Sequence, residues 1–181
     1  MTTAASGPRV NLEGDDKSHP DKLYVERDFA EIYANATGAI ITMAASAAAK
    51  TLGNTDATGD DLVAGASSGV TVSVTAGSFT VARSGTYRLR LSGSVTGEAN
   101  EDISLEWAKG GTALAEPHEC SIAMGTDADD LEKSVSHESL VALRDGDVIT
   151  LTVLGANSEV ITFKRFNFGV EQVSSLYYEL D

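Results

Sequence analysis

The chain has 181 residues, 42% of them hydrophobic, which is enough for one packed core plus a tail and too many for wholesale disorder. Its 27 Asp and Glu outweigh 13 Lys and Arg to give a formal charge of −14, and the densest basic spot is the pair Lys164-Arg165, so the basic face that phosphate binding needs is missing and no nucleic-acid partner is expected. One cysteine, Cys120, excludes an internal disulfide framework, and no run approaches the roughly 18 apolar residues of a membrane span.

Residues 1–28 hold two of the three prolines, Pro8 and Pro20, and a mixed-charge stretch, Asp15-Asp16-Lys17-Ser18-His19-Pro20-Asp21-Lys22. No apolar periodicity marks a helix or strand there. Met1 to Asn11 carries no apolar run, so no secretory leader is expected. This segment reads either as a solvated tail or as an extended arm that orders on a partner.

Phe29 to Tyr33 alternates in part, as a strand does, and Gly38 to Met43 is a short β-favouring run. The alanine-rich stretch Ala44 to Ala49 has helical propensity but also suits closely packed strands, and its role stays open. Leu52 to Gly69 is rich in turn formers, with Leu62-Val63 as a short edge piece.

From Val70 the period is two. Val70, Val72 and Val74 alternate with Thr and Ser. Tyr87, Leu89, Leu91 and Val95 share one parity, with Arg88 and Arg90 on the opposite, wet face. Ile103, Leu105 and Trp107 repeat the pattern before Lys109-Gly110-Gly111, a hairpin signal. His118 to Met124 reads as another strand, Gly125 to Glu132 as an acidic loop. Val135, Val141 and Leu143 precede Asp145-Gly146, which reads as a hairpin turn, and Ile149, Leu151 and Val153 follow it. In the last run Ile161 and Phe163 are odd, but Phe166, Phe168 and Val170 are even, which predicts a bulge near Lys164-Arg165. Short strands separated by turns every 8 to 12 residues or so argue an antiparallel sandwich or barrel.

Three segments carry a resemblance. Phe79-Thr80-Val81-Ala82-Arg83-Ser84-Gly85-Thr86-Tyr87 resembles the phenylalanine-threonine, turn, glycine-x-tyrosine signature of the tumour necrosis factor/complement globular-head jelly roll, with Ala82 where that family usually has proline. Leu105 to Gly111 is similar to its apolar strand closed by a lysine-asparagine-glycine hairpin, with Gly110 in place of the asparagine. Leu143-Arg144-Asp145-Gly146-Asp147-Val148-Ile149 looks like the leucine, glycine-aspartate, apolar strand near its end. Phage decoration proteins and fibre tips use the same fold. The resemblance implies an all-β antiparallel jelly-roll sandwich of about 8–10 strands over residues 29–173, behind an N-terminal arm (1–28) and before a short C-terminal tail (174–181). It also implies a homotrimer, with Tyr33, Phe166 and Phe168 as candidates for the apolar stripe between subunits.

Side chains for catalysis are sparse. His118-Glu119-Cys120 puts three potential ligands in a row, but no second pair stands at zinc spacing, and Cys120 reads as a small buried residue. Asp127, Asp129, Asp130 and Glu132 share a loop without the spacing of a calcium motif, and Asp56, Asp60 and Asp61 likewise read as solvated turn acids. His137 lies between Ser136 and Ser139 with no nucleophile elbow. No enzyme activity, cofactor or metal is expected. The function expected from the fold analogy is that of a phage virion structural protein, made in the host cytoplasm and bound to the capsid surface. As a decoration (cement) trimer it would hold the major capsid protein through arm residues Leu12, Leu23, Tyr24 and Val25. The alternative is a receptor- or carbohydrate-binding tip of a tail or head fibre, although no repetitive shaft is visible.

Overall fold

The computed structural model describes residues 27–34, 38–43, 48–54, 56–59, 62–126 and 132–175. Among them the chain forms fourteen strands and no helix: β1 (Phe29–Tyr33), β2 (Ala39–Thr42), β3 (Lys50–Thr51), β4 (Ala57–Gly59), β5 (Val63–Ser68), β6 (Val70–Ser73), β7 (Ser78–Val81), β8 (Gly85–Thr96), β9 (Asp102–Lys109), β10 (Thr112–Ala113), β11 (Glu119–Ala123), β12 (Glu132–Leu143), β13 (Val148–Leu154) and β14 (Val160–Ser175). The excess over the expected number comes from short pieces such as β3, β4 and β10. The alanine-rich residues 44–47, the acids at 60, 61, 127, 129 and 130, and the four arm anchors Leu12, Leu23, Tyr24 and Val25 lie outside the described residues.

The strands form two antiparallel sheets packed face to face. The first runs β12-β8-β14-β1-β5, with β2 added to β14 and β4 to β2. The second runs β10-β9-β13-β7-β6, with β11 on β9 and β3 on β13. Strand β14 is the spine of the first sheet. One side of it pairs with β8 along most of its length, and the other is shared by β2 near residues 160–163 and β1 at residues 167–171. The alternation seen in the sequence sets which side chains enter the sandwich. Tyr87, Leu89, Leu91 and Val95 from β8 face Ile103, Leu105 and Trp107 from β9 and Ile149, Leu151 and Val153 from β13, all fully or almost fully buried.

The predicted bulge is present. The β14–β8 register shifts between Lys164 and Asn167, and Arg165 has φ 48°. One extra residue reverses parity, so Phe163 on one side of the bulge and Phe166 and Phe168 on the other all point inward. Phe166 and Phe168 are therefore core residues with no exposed surface, and the expectation that they line a subunit contact is corrected. Phe168 packs edge-on to Phe79 of the second sheet at 5.7 Å between ring centres and lies 6.3 Å from Trp107, so it joins the two layers.

A second correction concerns Asp145-Gly146. The turn does not close a hairpin within one sheet. It carries the chain from β12 in the first sheet to β13 in the second, with the Gly146 amide donating to the Val81 carbonyl and φ 83° at Gly146. By contrast, Lys109-Gly110-Gly111 does close the β9–β10 hairpin, with positive φ at both glycines.

Candidate interaction face

Three adjacent cross-strand rows lie at the centre of the outer face of the first sheet. The upper row runs Ser136, Ser92, Asn167, Tyr33, Val63; the middle row Glu138, Arg90, Gly169, Glu31; the lower row Leu140, Arg88, Glu171, Phe29, Ser68. The antiparallel register places these residues side by side and the pleat turns them outward; the middle row stops at Glu31, where the β1–β5 register shifts.

The charges on this face pair with one another. Arg88 lies 3.7 Å from both Glu138 and Glu171, Arg90 lies 3.7 Å from Glu31, and Arg27 at the end of the leader lies 3.7 Å from Glu171. The Asn167 amide donates to the Glu31 carboxylate at 2.8 Å. Gly169 lets β1 approach, since a Cβ there would overlap the Ala30 carbonyl oxygen and crowd Glu31. Exposed pairs at these distances are worth little in stability. Their effect is on the charge of the surface: Arg27, Arg88 and Arg90 against Glu31, Glu138 and Glu171 sum to zero, on a chain whose formal charge is −14.

Apolar side chains border the charged rows. Phe29, Tyr33, Val63 and Leu140 are 38%, 38%, 40% and 57% exposed, and they are four of the six large hydrophobic residues exposed among the described residues. Of the three stripe candidates, Tyr33 is the one on this face. Phe29, Val63 and Leu140 were missed by sequence reasoning. Their signal was parity: Phe29 and Tyr33 oppose the buried Ala30 and Ile32, and Leu140 opposes the buried Leu143 and Val135. A shallow hollow of about 180 Å³ opens on the face between Arg88, Glu138, Ser139 and Leu140.

Beside this face residues 27 and 28 lead into β1 through a clasp centred on the buried Asp28. Asp28 has no exposed surface; its carboxylate takes both an Arg83 Nη2 ion pair at 2.6 Å and an Arg83 Nε hydrogen bond at 3.1 Å. The Tyr87 hydroxyl lies 2.9 Å from the Arg83 carbonyl and 3.2 Å from Asp28 Oδ2, and the Gln172 amide donates to the Asp28 carbonyl. Burial first, and then the Asp28 charge, push the Tyr87 phenol far above its ordinary range, so it stays a donor. Asp28, placed with the arm on sequence, thus belongs to the folded domain.

The other sequence candidates lie elsewhere. Cys120 is half-buried on β11, and burial pushes its thiol up. His118 bonds Ser139, and His137 bonds the Pro117 carbonyl. Glu132 is 3.8 Å from Lys164, and Asp56 accepts from the Thr51 amide. Among the described residues, no three His, Cys, Asp or Glu side chains converge on one point.

No family model matches this chain, and no curated protein does. Solved structures do. The Eiger TNF of S. frugiperda is similar with a TM-score of 0.56 at 12% identity, covering 87% of this chain and 99% of that one. Murine APRIL is similar with a TM-score of 0.55 at 14% identity, covering 82% of this chain and all of that one. At such identities the likeness establishes the fold: this chain is a TNF-like jelly roll, as the three sequence signatures implied.

Proposed function

We propose that the chain is a non-enzymatic structural protein of a phage virion, a homotrimer that decorates the capsid surface and holds the major capsid protein through its N-terminal arm. One observation carries the self-association: the outer face of the first sheet is charge-balanced and edged by Phe29, Tyr33, Val63 and Leu140, while the rest of the chain carries the whole acidic excess. Like-charged copies repel one another over most of their surface and meet at least electrostatic cost on the neutral face. The Asp28 clasp supports a mechanical role for the arm, because a pull on residues 1–26 is delivered to the buried Asp28 carboxylate, whose pair with the partly exposed Arg83 ties β1 to the β7–β8 turn. Fully extended, those residues reach roughly 85 Å. Three such arms on one trimer would bind far more tightly than one, through effective concentration.

Light scattering tests the first half: a trimer mass supports it, and a monomer at working concentration overturns it. Sedimentation with particles lacking the protein tests the second. Binding in numbers that track the shell subunits, lost on deletion of residues 1–26 with the trimer intact, supports decoration. Binding to host cells or to a glycan instead identifies a fibre tip.

A further inference from the structure

Two of the chain's three histidines meet across one seam. Strand β11 is an outlying strand of the second sheet and β12 the edge strand of the first. Two side-chain bonds close the seam. His118 Nδ1 lies 2.9 Å from Ser139 Oγ, which is itself buried, and His137 Nε2 donates to the Pro117 carbonyl at 2.9 Å. The second bond fixes the proton of neutral His137 on Nε2.

We propose that this histidine pair is a proton-operated latch, which holds β11 against β12 at neutral pH and loosens the seam in mild acid. Neither hydrogen bond is lost on protonation, since an imidazolium can still donate to Ser139 or to Pro117. What changes is charge. His118 is half-buried, and a second cation on His137 faces it across the seam. Burial first, then the His137 charge, hold the His118 imidazole below its ordinary range.

Among the described residues, the rings bond Ser139 and the Pro117 carbonyl and no carboxylate. Glu119 on β11 is engaged by the Ser104 and Ser121 hydroxyls, and Cys120 is kept neutral by burial. Glu106 on β9 is paired with Glu119 in register but presents its backbone carbonyl to Thr152, and Trp107 meets the seam through its amide, which donates to the His118 carbonyl. On β12, Glu138 turns outward to Arg88. Glu116, next to Pro117, is exposed. The sign follows. A histidine whose folded-state affinity for protons is depressed contributes stability above its unfolded value of about 6.5, and that contribution is lost as pH falls below it.

The test is a thermal melt of the full chain between about pH 7.5 and about pH 5.5, a window set by free imidazole. The wild type should lose melting temperature across it, and the His118→Gln, His137→Gln double variant, which keeps donors and acceptors at both positions, should lose less. Amide hydrogen exchange should quicken at β11 in acid while the β9–β13 ladder stays protected. A wild-type melting point that is flat over the window, or an equal fall in the double variant, overturns the latch. If the variant does not fold, the His118 ring resonance of the wild type decides: a midpoint below that of free imidazole supports the latch, and a midpoint at or above it overturns it.

Discussion

Asp28 shows how much one short side chain can fix. Its carboxylate is withdrawn from water, so it needs donors, and it receives both nitrogens of the Arg83 fork. Among the described residues, Oδ1 has the Arg83 ion pair and no hydrogen bond. Gly69, with φ 62°, makes the space, since any Cβ there would overlap the carboxylate. Replacing Asp28 with Asn keeps the shape and removes the charge, so the guanidinium faces a weaker acceptor. Because Arg83 is partly exposed, the expected loss is about 1–3 kcal/mol, read as a lower urea midpoint. Tyr87→Phe removes only the hydroxyl and should cost about 1 kcal/mol in the same assay. If both variants match the wild type, the clasp does not hold the leader. Nothing in the sequence marked Asp28 out: a lone acid in a charged leader looks like any solvated acid, and its burial follows from a partner 55 residues away.

The bulge in β14 acts at the scale of an element. It requires its neighbour strand to give way, and Gly93 on β8 does: a Cβ there would lie 2.6 Å from the Phe166 Cα and 2.9 Å from the Arg165 carbonyl oxygen. Gly93→Ala should therefore destabilise by at least about 2 kcal/mol, a loss that a thermal melt will show. Phe168→Ala opens a void between Phe79, Trp107 and Phe166 and should cost about 3–5 kcal/mol, with no direct effect on any subunit contact. The parity switch made the bulge legible from sequence, and the same switch contained the answer for Phe166 and Phe168. A bulge that reverses parity after Phe163 keeps the later aromatic residues on its side, so reading the stripe without the bulge put them outside. The turn at Asp145-Gly146 was legible as a turn but not as a crossing between sheets. A glycine with positive φ serves both geometries, and only the partners of β12 and β13 distinguish them. Asp147 secures that crossing: burial alone would raise its carboxyl, but the Arg144 amide and the Lys109 ammonium outweigh this and hold it below the ordinary range.

At the scale of the whole molecule, the distribution of charge decides where copies can meet. A net of −14 on 181 residues favours separation of identical chains, and the balanced rows on the first sheet are the place where that repulsion is weakest. The apolar residues at the margins of those rows are each too exposed to matter much to the fold of one chain, which gives a clean separation of effects. Leu140 is 57% exposed, so Leu140→Asp should leave the monomer's urea transition within about 0.5 kcal/mol of wild type. It also places a carboxylate beside Glu138 on the surface where copies would pack. If that face is the subunit contact, the variant shifts from trimer to monomer in light scattering, and Tyr33→Asp does the same from the other margin. The same change on Val148, an exposed apolar residue of the second sheet, should leave the proposed trimer intact. A trimer that survives both Leu140→Asp and Tyr33→Asp but falls apart with Val148→Asp would move the contact to the other sheet.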